Sequence, residues 1–272
     1  MRDLNVLMIL YLFLILKKMQ IIILAGGKGT RLSEYTQEVP KPMVKIGTMP
    51  IIWHIMKYYF KYGFNDFIIA LGHKGDVIKE YFYNYSKLNA NLTINLKDGE
   101  VQYHNNQNIN FKVSLINTGL ETSTGGRIKA LEEFINNEEF MFTYGDGLSN
   151  INIPEVITFH RKKNKLLTMS AVHPPARFGE LSIDKESLLE DFEEKPQMQS
   201  GWINGGFFVA NKKILKYINS PDEMFEREPI QRLVQEKQVA IYKHFGFWKC
   251  MDNRRDKEIL TQIWEKGNAP WK

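Results

Sequence analysis

Cysteine is almost absent from this chain of 272 residues: Cys250 stands alone, which excludes an intrachain disulfide, and no Cys/His cluster has the spacing of a zinc site. Long hydrophobic runs are also scarce. The longest, Val6 to Leu16, is about half the ~20 residues that a membrane-spanning helix needs. It closes at Lys17-Lys18 with no small-residue cleavage site after it, so residues 1–18 read as a dispensable apolar extension with Met19 as the natural start. An interfacial anchor or a packing strand are the other readings of that segment. There is no Pro/Ser-rich linker, no internal repeat and no long run of one charge. The 36 basic residues are interspersed with 31 acidic ones for a formal charge of +5, a balance that suits a small polyanionic ligand as well as it suits nucleic acid. A reducing cytoplasm fits this composition.

What is present is a regular alternation of short apolar runs and helical patterns. Gln20 to Ala25 is a β-branched strand that runs into Gly26-Gly27-Lys28-Gly29-Thr30-Arg31. Ile51, Ile52, Ile55, Met56, Tyr59 and Phe60 recur at helical spacing between Pro50 and Tyr62, Gly63 ends that helix, and Asp66 to Leu71 is a second strand. This is a βαβ unit, whose crossover favours a parallel sheet. Further helices are expected at Asp76–Asn84, Gly126–Asn136, from Pro154 to Lys163, at Pro229–Lys237 and at Arg255–Lys266. Strands are expected near Leu92, at Lys112–Asn117, Phe140–Thr143, Leu166–Val172, near Leu181, at Leu189–Glu193, Ile203–Ala210 and Val239–His244, with a surface loop at Asn105–Asn110 and a turn at Gly246–Asp252. The expectation is one three-layer α/β domain, 19–272.

The glycine-rich turn after the first strand lets backbone N–H groups approach phosphate oxygens, because no Cβ stands between them. It is neither of the two common phosphate motifs. A Walker loop needs two glycines bracketing four residues before Lys-Ser/Thr, and the dinucleotide spacing fails because Leu32 stands where its third glycine belongs. An NAD enzyme would also need an acidic residue after the second strand, where Leu71-Gly72-His73 stands. Arg31 and Lys41 add two cations close by, Lys41 on the stiff segment Pro40-Lys41-Pro42. Asp146, in Tyr144-Gly145-Asp146-Gly147, follows a strand at the end where open α/β sheets bind ligands, and a carboxylate there suits Mg²⁺. Asp252 is the candidate second carboxylate.

The stretch Leu24 to Leu32 with Pro40-Lys41-Pro42-Met43 resembles the signature of the sugar-phosphate nucleotidyltransferases. The likeness extends over Met19 to Lys272 through Thr118-Gly119, Thr124-Gly125-Gly126-Arg127, Thr143 to Gly147, Pro174 to Gly179, Glu194-Lys195-Pro196, Ile203 to Phe208, Gly246-Phe247-Trp248 and Met251-Asp252. Together these look like the branch of the family that joins CTP to glucose 1-phosphate. The resemblance implies a Rossmann-like three-layer nucleotidyltransferase fold with a mostly parallel central sheet and small C-terminal additions. It implies nucleotide binding by Leu24, Ala25, Gly26, Gly27, Lys28, Gly29, Thr30, Arg31 and Lys41, with Thr122, Arg127 and Gly145 around base and ribose. Asp146 and Asp252 would hold Mg²⁺, while Gly179, Glu194, Lys195 and Asn204 would line the sugar-phosphate side, with Lys195 on the phosphate. Arg31, Lys41 and Lys195 would carry catalysis by charge neutralisation.

CMP transfer to glucose 1-phosphate, giving CDP-glucose and pyrophosphate, is the implied reaction, with no nucleic-acid partner and no stable membrane insertion. The family likeness also implies a cytoplasmic homo-oligomer, a hexamer being possible, that serves deoxysugar or O-antigen (lipopolysaccharide) synthesis. Two stretches depart from the family pattern. Leu120-Glu121-Thr122-Ser123 falls in the loop expected to select the base, which leaves UTP or dTTP as alternatives, and Asn253 stands where threonine is expected. A non-catalytic sensor of sugar nucleotides is the reading from a different class. Joint presence of Arg31, Lys41, Asp146, Lys195 and Asp252 argues against it.

Overall fold

The computed structural model describes residues 19–104, 109–174, 180–183, 188–193 and 201–272. The extension 1–18 and the expected site residues Gly179, Glu194 and Lys195 lie outside the described residues, as do positions 105–108 of the Asn-rich loop.

Seven strands form the central sheet: β1 (Ile21–Leu24), β2 (Asp66–Leu71), β3 (Lys112–Asn117), β4 (Glu139–Tyr144), β5 (Leu167–Val172), β6 (Ile203–Asn211) and β7 (Val239–His244). Their spatial order is β7-β5-β6-β4-β1-β2-β3. Only β6 runs antiparallel to its two neighbours, so the sheet is mostly parallel, as expected. The helices are α1 (Ile51–Lys61), α2 (Gly75–Tyr83), α3 (Thr124–Ala130), α4 (Ile153–Lys163), α5 (Glu228–Gln235) and α6 (Arg254–Glu265), with shorter helical turns between them.

The three layers follow from the strand pleat. Ile21 and Ile23 of β1, with Phe67, Ile69 and Leu71 of β2, join a core that includes Ile51, Ile52, Ile55, Met56 and Tyr59 of α1. Ile22 and Leu24, with Ile68 and Ala70, join the opposite core beneath Ile128 of α3, Leu233 of α5 and Phe225, which precedes α5. Side chains alternate across the pleat, so a strand covered on both faces must be apolar throughout. Each fully buried Ile, Leu or Phe stabilises by about 1.5–3 kcal/mol. Phe142 and Phe208 stack with ring centroids 4.2 Å apart, and Phe225 meets Phe142 edge-on at 5.2 Å, which ties β4, β6 and the segment before α5 together.

Strand order reverses at β1. β2 and β3 lie on one side of it and β4 on the other, with Leu24 paired to both Ala70 and Tyr144 at its carboxyl end. A sheet opens a crevice where its order reverses, and both the glycine loop and Gly145-Asp146 emerge there.

Two local expectations differ from the structure, and a third is met outside the central sheet. The helix expected over Gly126–Asn136 is α3, which starts two residues earlier and gives way after Ala130 to tight turns, Leu131 N bonding to Ile128 O (3.2 Å) and Phe134 N to Leu131 O (2.9 Å). The expected turn Gly246–Asp252 contains a strand, Trp248–Cys250, antiparallel to Gly147–Ser149. The strand near Leu92 is half of a separate hairpin, Asn91–Ile94 with Val101–His104, in which Leu92 opposes Tyr103 and Ile94 opposes Val101. Short ladders of this kind depend on distant partners, which local propensity does not encode.

Candidate active site

A cleft of about 560 Å³ opens at the reversal point of the sheet. Its lining includes Leu24, Ala25, Gly26, Gly27, Gly29, Lys41, Thr122, Arg127, Gly145, Asp146, Asn204 and Asp252, all expected from the sequence. Lys28 and Thr30 are not in the lining. Lys28 ion-pairs with Glu121 at 2.9 Å, both side chains largely exposed, and Thr30 is exposed. Arg31 is the middle residue of the helical turn Thr30–Leu32, and its side chain lies outside the described residues.

The loop is held from behind by Arg127. This residue is 4% exposed, and its guanidinium donates through Nη1 to Leu71 O (3.1 Å), Thr118 Oγ1 (2.8 Å) and Gly119 O (2.6 Å). Through Nη2 it donates to Gly26 O (3.0 Å) and Leu120 O (3.2 Å). Arg127 was expected around base and ribose. It does line the cleft, but these donors serve the scaffold. The fork needs room that only glycine leaves, since a Cβ on Gly26 would stand 2.4 Å from the guanidinium carbon. Burial depresses the Arg127 pKa from its ordinary value and Glu121 opposes this, although an arginine remains charged at any physiological pH.

Lys41 begins a helical turn, Lys41–Met43, set by Pro40. Its ammonium lies 2.6 Å from Asp146 Oδ2 and 2.6 Å from Asp252 Oδ1, so the three groups expected on phosphate and metal meet at one point. Burial alone would lower the Lys41 pKa; Asp146, then Asp252, outweigh it, and the net direction is upward. The ladder that sequence reading missed is what brings the carboxylates together. Cys250 pairs with Gly147, and Met251 N bonds to Asp146 O at 2.8 Å, which sets Asp252 beside Asp146. Cys250 also lines the cleft, its thiol pushed up to about 12 by burial and then by Asp252 and Asp146, so it stays protonated.

Asn253, the departure from the family pattern, caps α6. Its side chain accepts from Asp256 N (3.0 Å), and Asp256 accepts in return from Asn253 N (3.2 Å) and Asp252 N (3.1 Å). Asparagine and threonine both serve as N-caps, so the departure keeps the backbone that carries Asp252.

The far wall is built on β6. Its pairing with β5 slips between Met169 and Ala171, and Gly206 takes φ +78°, where a Cβ would stand 2.6 Å from the Tyr144 ring. Trp248 Nε1 donates to Gly205 O at 2.7 Å, which fixes a half-buried aromatic that packs against the core and lines the cleft. Asn204, Tyr144 and Glu226 share this wall. Sequence reading passed over Tyr144 and Glu226 as site residues. Glu226 lies in a polar stretch before α5 with no motif around it, and only the fold brings it to the cleft.

Two carboxylates converging on one cation, beside a loop suited to phosphate, are oxygen donors of the kind Mg²⁺ takes, one or two protein carboxylates with phosphate oxygens completing the set. Among the described residues no group of three or more His, Cys, Asp or Glu could hold a metal without such help. No described helix is long and apolar enough to cross a membrane.

The profile of the family described as Nucleotidyl transferase matches residues 20–252. Glucose-1-phosphate cytidylyltransferase of Salmonella typhimurium is 45% identical over 255 residues, covering 93% of this chain and 99% of the relative. The probable glucose-1-phosphate cytidylyltransferase of Bacillus subtilis is 41% identical over the same shares. Among solved structures, HddC from Yersinia pseudotuberculosis superposes with a TM-score of 0.66 at 24% identity, covering 90% of this chain and 99% of that one. The inositol-1-phosphate CTP transferase from T. maritima gives 0.62 at 17%, covering 90% and 96%. These two share the fold. With the profile covering most of the chain and a full-length relative at 45% identity, the chain belongs to the nucleotidyl transferase family.

Proposed function

We propose that this protein transfers CMP from CTP to α-D-glucose 1-phosphate, forming CDP-glucose and pyrophosphate. The observation that carries the reading is the convergence of Lys41, Asp146 and Asp252 at 2.6 Å contacts beside the glycine loop. Similarity to cytidylyltransferases at 45% and 41% identity over nearly their full length supports the substrate pair.

A phosphate oxygen of glucose 1-phosphate attacks the α-phosphorus of CTP in line. The bond from that phosphorus to the bridging oxygen breaks, and pyrophosphate leaves with the electron pair. The attacking oxygen is already anionic, so no side-chain nucleophile or base is needed. Rate comes from alignment and charge neutralisation. Mg²⁺, held by Asp146 and Asp252, would supply positive charge to the phosphates. Glycine-loop backbone N–H groups and Arg31 bind the triphosphate, while Lys41 exchanges its carboxylate partners for phosphate oxygens. Thr122 and Gly145 face the base and ribose, with Arg127 holding the segment Gly119-Leu120 that leads to Thr122. Gly179, Glu194, Lys195 and Asn204 receive the sugar phosphate. This reading includes cytoplasmic action by a homo-oligomer that serves deoxysugar or surface-polysaccharide synthesis.

Pyrophosphate release measured with glucose 1-phosphate and each of CTP, UTP, dTTP, ATP and GTP, with and without Mg²⁺, tests it. A strong preference for CTP in the presence of metal is expected. Preference for UTP or dTTP would move the base assignment, and no release with any nucleotide would favour a sensor.

A further inference from the structure

We propose that Glu226 is a positioning residue that aims the Asn204 amide at the sugar phosphate, an inference resting on the reading of the cleft given above. Four hydrogen bonds join the loop wall to the far wall. Thr124 Oγ1 donates to Glu226 Oε2 (2.6 Å), Tyr144 Oη donates to Glu226 Oε1 (2.5 Å), Asn204 Nδ2 donates to Tyr144 Oη (3.1 Å), and Gly206 N donates to Asn204 Oδ1 (2.8 Å).

The direction of every bond is fixed from both ends. An ionised carboxylate only accepts, and a backbone N–H only donates. Gly206 N therefore assigns oxygen and nitrogen of the Asn204 amide, while Glu226 accepts the Tyr144 O–H and so leaves a lone pair on Tyr144 Oη for Asn204 Nδ2. A phenol O–H both donates and accepts, so Tyr144 can pass this polarity from Glu226 to Asn204. With one N–H committed to Tyr144, the second N–H of Asn204 has a single direction, and Asn204 lines the cleft. The substrate group this suits is a hydroxyl or phosphate oxygen, which accepts.

Replacing Glu226 by glutamine keeps the shape but no longer fixes the polarity by two acceptor oxygens. Phe225 N donates to Thr124 Oγ1 (2.9 Å), so Thr124 keeps its proton for the glutamine oxygen and the new N–H faces Tyr144 Oη. The tyrosine proton then turns toward Asn204 Nδ2, and Asn204 loses its tyrosine bond or flips and loses Gly206 N.

Initial rates with CTP, glucose 1-phosphate and Mg²⁺ test this in wild type, Glu226→Gln, Asn204→Ala and the double variant. Expected is a rise of about tenfold in KM for glucose 1-phosphate in Glu226→Gln, the scale of one hydrogen bond, with smaller changes in kcat and in KM for CTP. Because Glu226 acts through Asn204, the double variant should be no worse than Asn204→Ala alone. Multiplicative losses in the double variant, or equal rises in KM for both substrates, would overturn the proposal. If Glu226→Gln fails to fold, Tyr144→Phe removes the relay and should show the same split and the same non-additivity with Asn204→Ala. Wild type inactive with this substrate pair would overturn the underlying reading; active wild type with additive variants would overturn the role of Glu226 alone.

Discussion

The Lys41 ammonium and the Asp146 carboxylate lie 2.6 Å apart in the cleft. With Asp252 also at 2.6 Å, one positive charge stands between two negative ones, and a divalent cation taking the place of the ammonium would balance the two carboxylates.

Asp146→Asn and Asp252→Asn should each lower kcat by about 100-fold or more, the scale of losing a group that stabilises developing charge. Binding of glucose 1-phosphate should change far less. Steady-state kinetics with titrated Mg²⁺ and chelator check this, and near-normal turnover by either variant would defeat the metal assignment.

Lys41→Met should destabilise the metal-free protein by about 1–3 kcal/mol, below the range for a fully buried pair because each carboxylate keeps about a quarter of its surface in water. Adding Mg²⁺ should raise the melting temperature of this variant more than that of wild type. Equal shifts in the two proteins would contradict a shared cation position.

Arg127→Ala would strip a donor from four carbonyls and one hydroxyl and should cost about 2–4 kcal/mol in urea unfolding. Arg127→Lys should recover only part of this, because an ammonium cannot reproduce the planar fork. Full recovery by lysine would show that charge alone matters here.

Gly206→Ala should destabilise by about 1–3 kcal/mol, since φ is +78° and the new methyl meets the Tyr144 ring. Displacement of Tyr144 should also raise KM for glucose 1-phosphate. An unchanged KM would separate the bulge from the sugar side of the cleft.

Acid should weaken the fold partly through His54. Burial lowers its pKa below the ordinary 6.5, against carbonyl contacts from Ile46 and Met49 that oppose the shift. Below about pH 6.5 the unfolded chain takes up a proton that the folded ring does not, so stability falls as pH drops toward the folded pKa. His54 packs against Trp53, Trp264 and Trp271, so His54→Gln will lower the melting temperature throughout, but its decline between pH 7.5 and 5.5 should be shallower than that of wild type. An equal slope would assign the acid sensitivity elsewhere.

Much of the fold was legible because β1, β2 and β4 are apolar on both faces and α1 keeps its helical spacing. The glycine loop, Lys41 and Asp146 were legible because each sits beside punctuation that constrains the backbone. Glu226 was not, since its partners Thr124 and Tyr144 are distant in sequence and nothing local marks a carboxylate as a bridge. The same holds for the ladder between Gly147–Ser149 and Trp248–Cys250: three residues carry too little pattern to separate a strand from a turn. Order reversal at β1, which decides where the cleft lies, belongs to the pairing of whole strands.

Among the described residues Arg127 donates only to neutral groups, whereas Lys41 is more than neutralised by Asp146 and Asp252. The crevice is thus polarised, with positive potential behind the glycine loop and negative potential at the carboxylates. Such a field orients an incoming polyanion with its counter-ion before contact, so association should slow as ionic strength rises while the chemical step does not.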